Sequence, residues 1–166
     1  GIMAEPGAGA RPRDTALPPE PWRCFLLRCA SRERFEVCVK RALWAAPAAL
    51  ELRLNEAFHS GTHEVVVLFA CAELKAFLGA ARMSQAAGAA PHTGAFGAAA
   101  EAGKELALEW LAVADLGFER AAHVRNAYND GKLVRVGRDG QEVDPPAARA
   151  LLELLRQEPE GALARA

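Results

Sequence analysis

Four cysteines, four histidines and three tryptophans are the residues of this 166-residue chain with the widest chemical range, and their spacing says which chemistry is open to them. Cys24, Cys29, Cys38 and Cys71 form neither a CxxC pair nor a zinc-finger pattern, and each sits among apolar neighbours. That setting predicts buried, reduced thiols and so a cytosolic or nuclear address. His59 and His63 are four apart, but Ser60, Gly61 and Thr62 between them favour a helix exit with solvated imidazoles over a metal pair. No GxxxxGK[ST] loop, GxGxxG turn, HExxH or GxSxG motif occurs, and no two acids are forced together by periodicity. The expectation is a binding domain rather than an enzyme, with no metal and no cofactor.

Charge distribution gives that expectation a direction. The net charge is only -1. Residues 22–43 nevertheless carry six basic groups against two acidic ones, and residues 120–138 carry five against one. Residues 44–119 between them hold four basic and nine acidic groups. A fold that joins the two basic segments makes a positive face on a near-neutral protein, which suits a polyanion. Charges that merely solvate scattered surfaces are the other reading.

The elements that must position these groups follow from periodicity. Residues 23–29, RCFLLRC, suit a buried strand. Ser31 is placed to cap a helix running to about Leu43, with Phe35, Val39, Ala42 and Leu43 at helical spacing and Trp44 directly after it. A second helix is expected over about 49–59. Strands are expected at 64–72, at 77–84 with Gly79 marking a bulge or close approach, at 105–113 and at 133–136. Residues 85–103 are rich in Gly and Ala with one aromatic, Phe96, and read as a long flexible loop. Asp139-Gly140 is a tight-turn dipeptide, and Pro145-Pro146 opens a last helix. Strands that cluster without a helix between each pair predict an α+β fold with a curled or barrel-like sheet. Residues 1–21 read as a disordered leader, 22–158 as the folded domain and 159–166 as a tail. No apolar run approaches the ~20 residues that cross a bilayer.

In order along the chain, RCFLLRC, Trp44 after a helix, ELRLNEAF, EVVVLFACA, FLGAARMS, LALEWLAVADLGF and HVRNAYNDGKLVRVGRDGQEV resemble a YTH domain. The likeness covers about residues 22–158, and NAYNDGKLVRVGRDGQEVDP is its most specific stretch. It is nearer to the nuclear DC type, and nearer still to the YTH module of the zinc-finger subunit in plant-type cleavage-and-polyadenylation machinery. The resemblance implies a PUA-like fold, a curved, barrel-like β-sheet flanked by helices. It also implies recognition of N6-methyladenosine in single-stranded RNA by an aromatic cage, in a nuclear protein of mRNA processing, with the cytoplasm as a second address. The domain would be a monomeric part of a larger protein, with no membrane partner.

Carried over position by position, the resemblance makes Trp44 the first cage wall and gives the Cys29 carbonyl the N6 hydrogen. Ala45 follows the cage tryptophan where relatives often have Ser. Arg28, Arg135 and Arg138 fall on phosphate-contacting positions, with Asp139 completing the RD step. Relatives often carry Asn where this chain has Ala30, and a polar group at the base edge where it has Arg34, which is assigned to the basic rim. The loop that should bring a second tryptophan has none, which leaves Phe96 as the second wall, and the third wall aligns near Ala102. A YTH fold that has lost base recognition and serves as a protein-interaction module is the alternative reading.

Overall fold

Strand β1, Trp22–Arg28, sends alternate side chains into two different cores, Phe25 and Leu27 into one and Cys24 and Leu26 into the other. A strand covered on both faces is apolar almost throughout, which is why this segment reads WRCFLLR. The structure, a computed structural model, describes residues 11–97 and 104–159.

β1 runs parallel to β3, Glu64–Cys71, from Trp22↔Glu64 to Arg28↔Ala70. A parallel pair needs a crossover. Here it consists of helix α1 (Arg32–Arg41), strand β2 (Leu43–Ala45) and helix α2 (Ala48–His59). Ser31 caps α1 by accepting the Arg34 amide, and the helix stops at Ala42 in the left-handed region, φ 51°. That conformation costs a non-glycine residue about 1–2 kcal/mol. It turns the chain at once into β2, so Trp44 lies opposite Leu106 on strand β5 (Glu105–Gly117). β3, β4 (Ala76–Met83) and β5 form an antiparallel meander.

The sheet order is β2-β5-β4-β3-β1-β8, with β8 (Glu142–Val143) antiparallel to β1. Phe35 and Cys38 of α1 and Leu50, Leu54 and Ala57 of α2 pack on one face. The last helix, α3 (Pro145–Gln157), packs Ala148, Leu151, Leu152 and Leu155 on the other. Its cap, Asp144, accepts the Ala147 amide at 3.0 Å. β5 changes face midway: Trp110 and Val113 lie with the α1/α2 core, Leu111 and Ala112 with the α3 core. The matching register shift on β4 falls between Ala80 and Ala81. Gly79 permits this close approach, since a β-carbon there would stand 2.7 Å from the Ala112 carbonyl oxygen.

The expected fold, a curved sheet flanked by helices, is present, and the sheet is open, with β2 and β8 at its two ends. Two expectations change. The strand expected at 133–136 is instead a two-residue strand β7 (Lys132–Leu133), paired with β6 (Arg125–Asn126), followed by a 3-10 turn at Val134–Val136. Only Val134 of that turn is buried, so a continued strand would have nothing to pack its alternate residues against. Residues 11–21, expected within a disordered leader, carry contacts of their own. The buried Trp22 indole donates to the Pro18 carbonyl at 2.8 Å, Arg156 donates to the Thr15 carbonyl, and Arg149 pairs with Glu20. The Pro18 carbonyl gives the buried Trp22 indole its acceptor, and the other two contacts tie the segment to α3. Among the described residues no helix is long and apolar enough to cross a membrane.

Candidate nucleic-acid interface

β2 puts Trp44 at the rim of the α1/α2 core, where the residue is only 4% exposed. Phe69 of β3 meets its ring edge-on, with centroids 5.2 Å apart. Phe96 stands 5.4 Å away at 69°, and the Arg34 guanidinium lies 5.3 Å from the Trp44 centroid and 5.1 Å from that of Phe96. The structure therefore brings three of the expected residues together. It does not form the expected sandwich, because a base between two rings needs parallel planes about 7 Å apart, two contact distances. Here the rings touch edge to face. Ala102, aligned with the third wall, lies outside the described residues.

The described part of the loop carrying Phe96, residues 85–97, is held at two points, and the rest of the expected loop lies outside the described residues. Asn55 of α2 accepts the Ala87 amide at 2.7 Å. Glu105, at the start of β5 and opposite Ala45, accepts both the amide (2.7 Å) and the hydroxyl (2.8 Å) of Thr93. Burial pushes the Glu105 carboxyl up, but the Thr93 hydrogen bonds and His92 outweigh it and hold the carboxyl below its usual range. Phe96 follows three residues after Thr93, so its placement on Trp44 depends on this anchor. Ala45 is buried beside Trp44.

Cys29 continues the ladder one residue past β1, its amide donating to Ala70 at 3.0 Å. Among the described residues no donor is bonded to its carbonyl, and the residue is 3% exposed. The thiol is buried with Cys71 beside it, and the two effects push it up to about 12, where it stays protonated.

Next to Cys29, Arg28 organises the basic ground. Its amide donates to Asp139 at 2.9 Å, and its guanidinium donates to the carbonyls of Arg135 (2.9 Å) and Gly137 (3.0 Å). The Gly140 amide donates to the Leu26 carbonyl at 2.7 Å. Gly140 has φ +91°, and a β-carbon there would meet Leu50 at 2.7 Å, so the turn accepts only glycine. Partial burial lifts the Asp139 carboxyl above its usual range, against the pull of the Arg28 amide and charge. Arg28 thus holds the segment that presents Arg135 and Arg138 to solvent.

Two grooves flank that segment. One of about 560 Å³ is lined by Arg28, Lys75, Phe118 and Arg135 among others. One of about 840 Å³ is lined by Arg125, Lys132, Val136 and Arg138, with no acid in its wall. They share Leu133. The larger concavity lies over the basic ground and not over Trp44, whose face Phe96 and Arg34 cover. Sequence reasoning missed Phe69 as the packing partner of Trp44, Glu105 as the loop anchor, and Lys75, Arg125 and Lys132 as groove lining. The basic count of residues 120–138 already contained the last two. Nothing local marked Glu105. Among the described residues no group of three or more His, Cys, Asp or Glu is placed to hold a metal.

Comparison with known proteins accounts for this layout. A family model for the YTH, or YT521-B-like, domain matches residues 22–156. The chain is 34% identical over 152 residues to zinc finger CCCH domain-containing protein 45 of Oryza sativa subsp. japonica, covering 90% of this chain and 23% of that protein. It is 32% identical over 144 residues to the 30-kDa cleavage and polyadenylation specificity factor 30 of Arabidopsis thaliana, covering 85% of this chain and 23% of that one. The chain therefore spans about a quarter of the length of these relatives. Among solved structures, the Toxoplasma CPSF4 YTH domain in complex with a 7-mer m6A-modified RNA superposes with a TM-score of 0.78 at 26% identity, covering 88% of this chain and all of that one. From β1, where the match begins, through nearly the whole of α3, this chain belongs to the YTH domain family.

Proposed function

We propose that this domain reads N6-methyladenosine in single-stranded RNA. The observation that carries the reading is Trp44 at the rim of the α1/α2 core, with the Arg34 guanidinium 5.3 Å from its ring centroid. Cys29, whose carbonyl has no donor among the described residues, belongs to the same core cluster. The base would stack on Trp44, its N6–H would donate to Cys29, and Phe96 would move from its edge-on contact to form the second wall. Arg135 and Arg138 would take flanking phosphates, with Arg28 holding their turn. A base stacked on an aromatic side chain contributes about 1–3 kcal/mol, and phosphate contacts add affinity without reading the base. The Toxoplasma domain, which was solved with m6A-modified RNA, supports the assignment. Likeness to the Arabidopsis polyadenylation factor supports a place in nuclear mRNA 3′-end processing for the longer protein.

A protein-interaction module is the second reading, and the cover over Trp44 favours it. Titration with paired oligonucleotides, identical but for one N6-methyl group, separates the two. At least several-fold tighter binding of the methylated RNA is expected. Equal affinities would leave the interaction module as the better description.

A further inference from the structure

Arg34 is the third residue of α1, and its guanidinium lies against both Trp44 and Phe96. Its neighbour Arg32 reaches Asp115 at 3.4 Å, whereas among the described residues no carboxylate pairs with Arg34. The aromatic pair is thus the guanidinium's main company, and with Trp44 only 4% exposed the face a base would need is taken. Guanidinium is planar and weakly hydrated, so it settles on an aromatic face much as a base does. The two cannot occupy one face together.

We infer that Arg34 makes the Trp44 site select a methylated base within an RNA chain over the same base as a free nucleoside. This rests on the reader assignment above. A base that enters must displace the guanidinium, and a displaced guanidinium needs a new partner. Phosphate supplies one through charge-assisted, often bidentate hydrogen bonds. An RNA held along Arg135 and Arg138, on the turn that Arg28 fastens to the end of β1, brings phosphates to that end of the strand, so the chain that delivers the base also receives Arg34. A nucleoside carries no phosphate and must displace the cation with nothing in return.

The test uses free N6-methyladenosine and a methylated 7-mer RNA, each titrated against wild type, Arg34→Ala and Arg34→Lys. For the nucleoside, Arg34→Ala should bind about two- to fivefold more tightly than wild type, the strength of an exposed cation–π contact. For the RNA, the same change should lower affinity and reduce the slope of log K against log salt by about one. Arg34→Lys keeps the charge without the plane, so it should gain nucleoside affinity while keeping the RNA slope. In the free wild type, Arg34 side-chain resonances should show ring-current shifts that vanish when the methylated 7-mer binds. Weaker or unchanged nucleoside binding by Arg34→Ala overturns the inference, as do ring-current shifts that persist in the RNA complex. No detectable nucleoside binding by either protein overturns it too. Methyl selectivity of wild type on paired RNAs is a separate measurement: it can stand while Arg34 fails, and equal binding of the pair removes the reader assignment itself.

Discussion

Trp44 packs in the core and is also the proposed stacking face, two roles that a single alanine substitution would confuse. Its ring packs on Phe69 within the α1/α2 core, so Trp44→Ala removes core volume, and large-to-small changes of this kind cost about 3–5 kcal/mol. Trp44→Leu keeps apolar bulk and removes the flat face. It should therefore leave a cooperative thermal transition while weakening methylated RNA roughly ten- to hundredfold and abolishing preference over the unmethylated twin, as calorimetric titration would measure. Retained methyl preference in Trp44→Leu would take the base away from Trp44. Glu105 gives a second residue-scale test. Its carboxyl is held below its ordinary value of 4.5, so the stability it adds is complete above that value in the folded protein. That stability is lost as pH falls through the lower folded value. Glu105→Gln should lower the melting temperature at pH 7, and the gap between the two proteins should narrow as pH drops below about 4.5. A gap that widens toward acid would mean that Thr93 is held by something else.

At the scale of elements, the segment from β6 to Asp139 is where sequence periodicity misleads and geometry explains. Alternation in LVRV suggests a strand, but only Val134 has a core to enter, and Gly137 donates back to the Val134 carbonyl to close a turn. That turn faces Arg135 and Arg138 outward, while Arg28 and Asp139 fasten it to the end of β1. Lys132 and Arg125 then line the same groove as Arg138 from the small β6-β7 ribbon. Lys132→Ala should weaken methylated and unmethylated RNA by equal factors, and the salt slope should fall by about one, because a phosphate contact carries no information about the base. Binding measured at several salt concentrations with both RNAs checks this. A change in methyl preference would place Lys132 near the base instead.

For the molecule as a whole, the two cores on opposite faces of one sheet make stability depend on segments far apart in sequence. Residues 11–21 are the clearest case, since they supply carbonyls to Trp22 and to Arg156 of α3. A net hydrogen bond is worth about 0.5–1.5 kcal/mol and an unsatisfied buried donor about 1–3. Starting the chain at residue 21 should therefore lower the melting temperature by several degrees with RNA selectivity intact. An unchanged melting temperature would mean that these contacts add nothing to the fold.

Sequence alone determined the elements whose side chains meet a core at a fixed period, such as β1, the Ser31-capped α1, β3 and the Pro-led α3. It also determined the order of motifs that places Trp44, Cys29 and Arg28 in a YTH frame. Local pattern suffices there because backbone period and burial agree. The resemblance names Phe96 as the wall opposite Trp44, but only the tertiary structure decided how the two rings meet, edge to face at 69°. Phe96 is 52 residues away in sequence, and its position hangs on Thr93 meeting Glu105, a pairing of loop and strand start that no periodicity encodes. The resemblance assigns Arg34 to the basic rim, and only the fold sets its guanidinium over two aromatic rings. Contacts between distant residues follow from how the sheet bends and where its glycines let strands approach, and those are properties of the assembled chain.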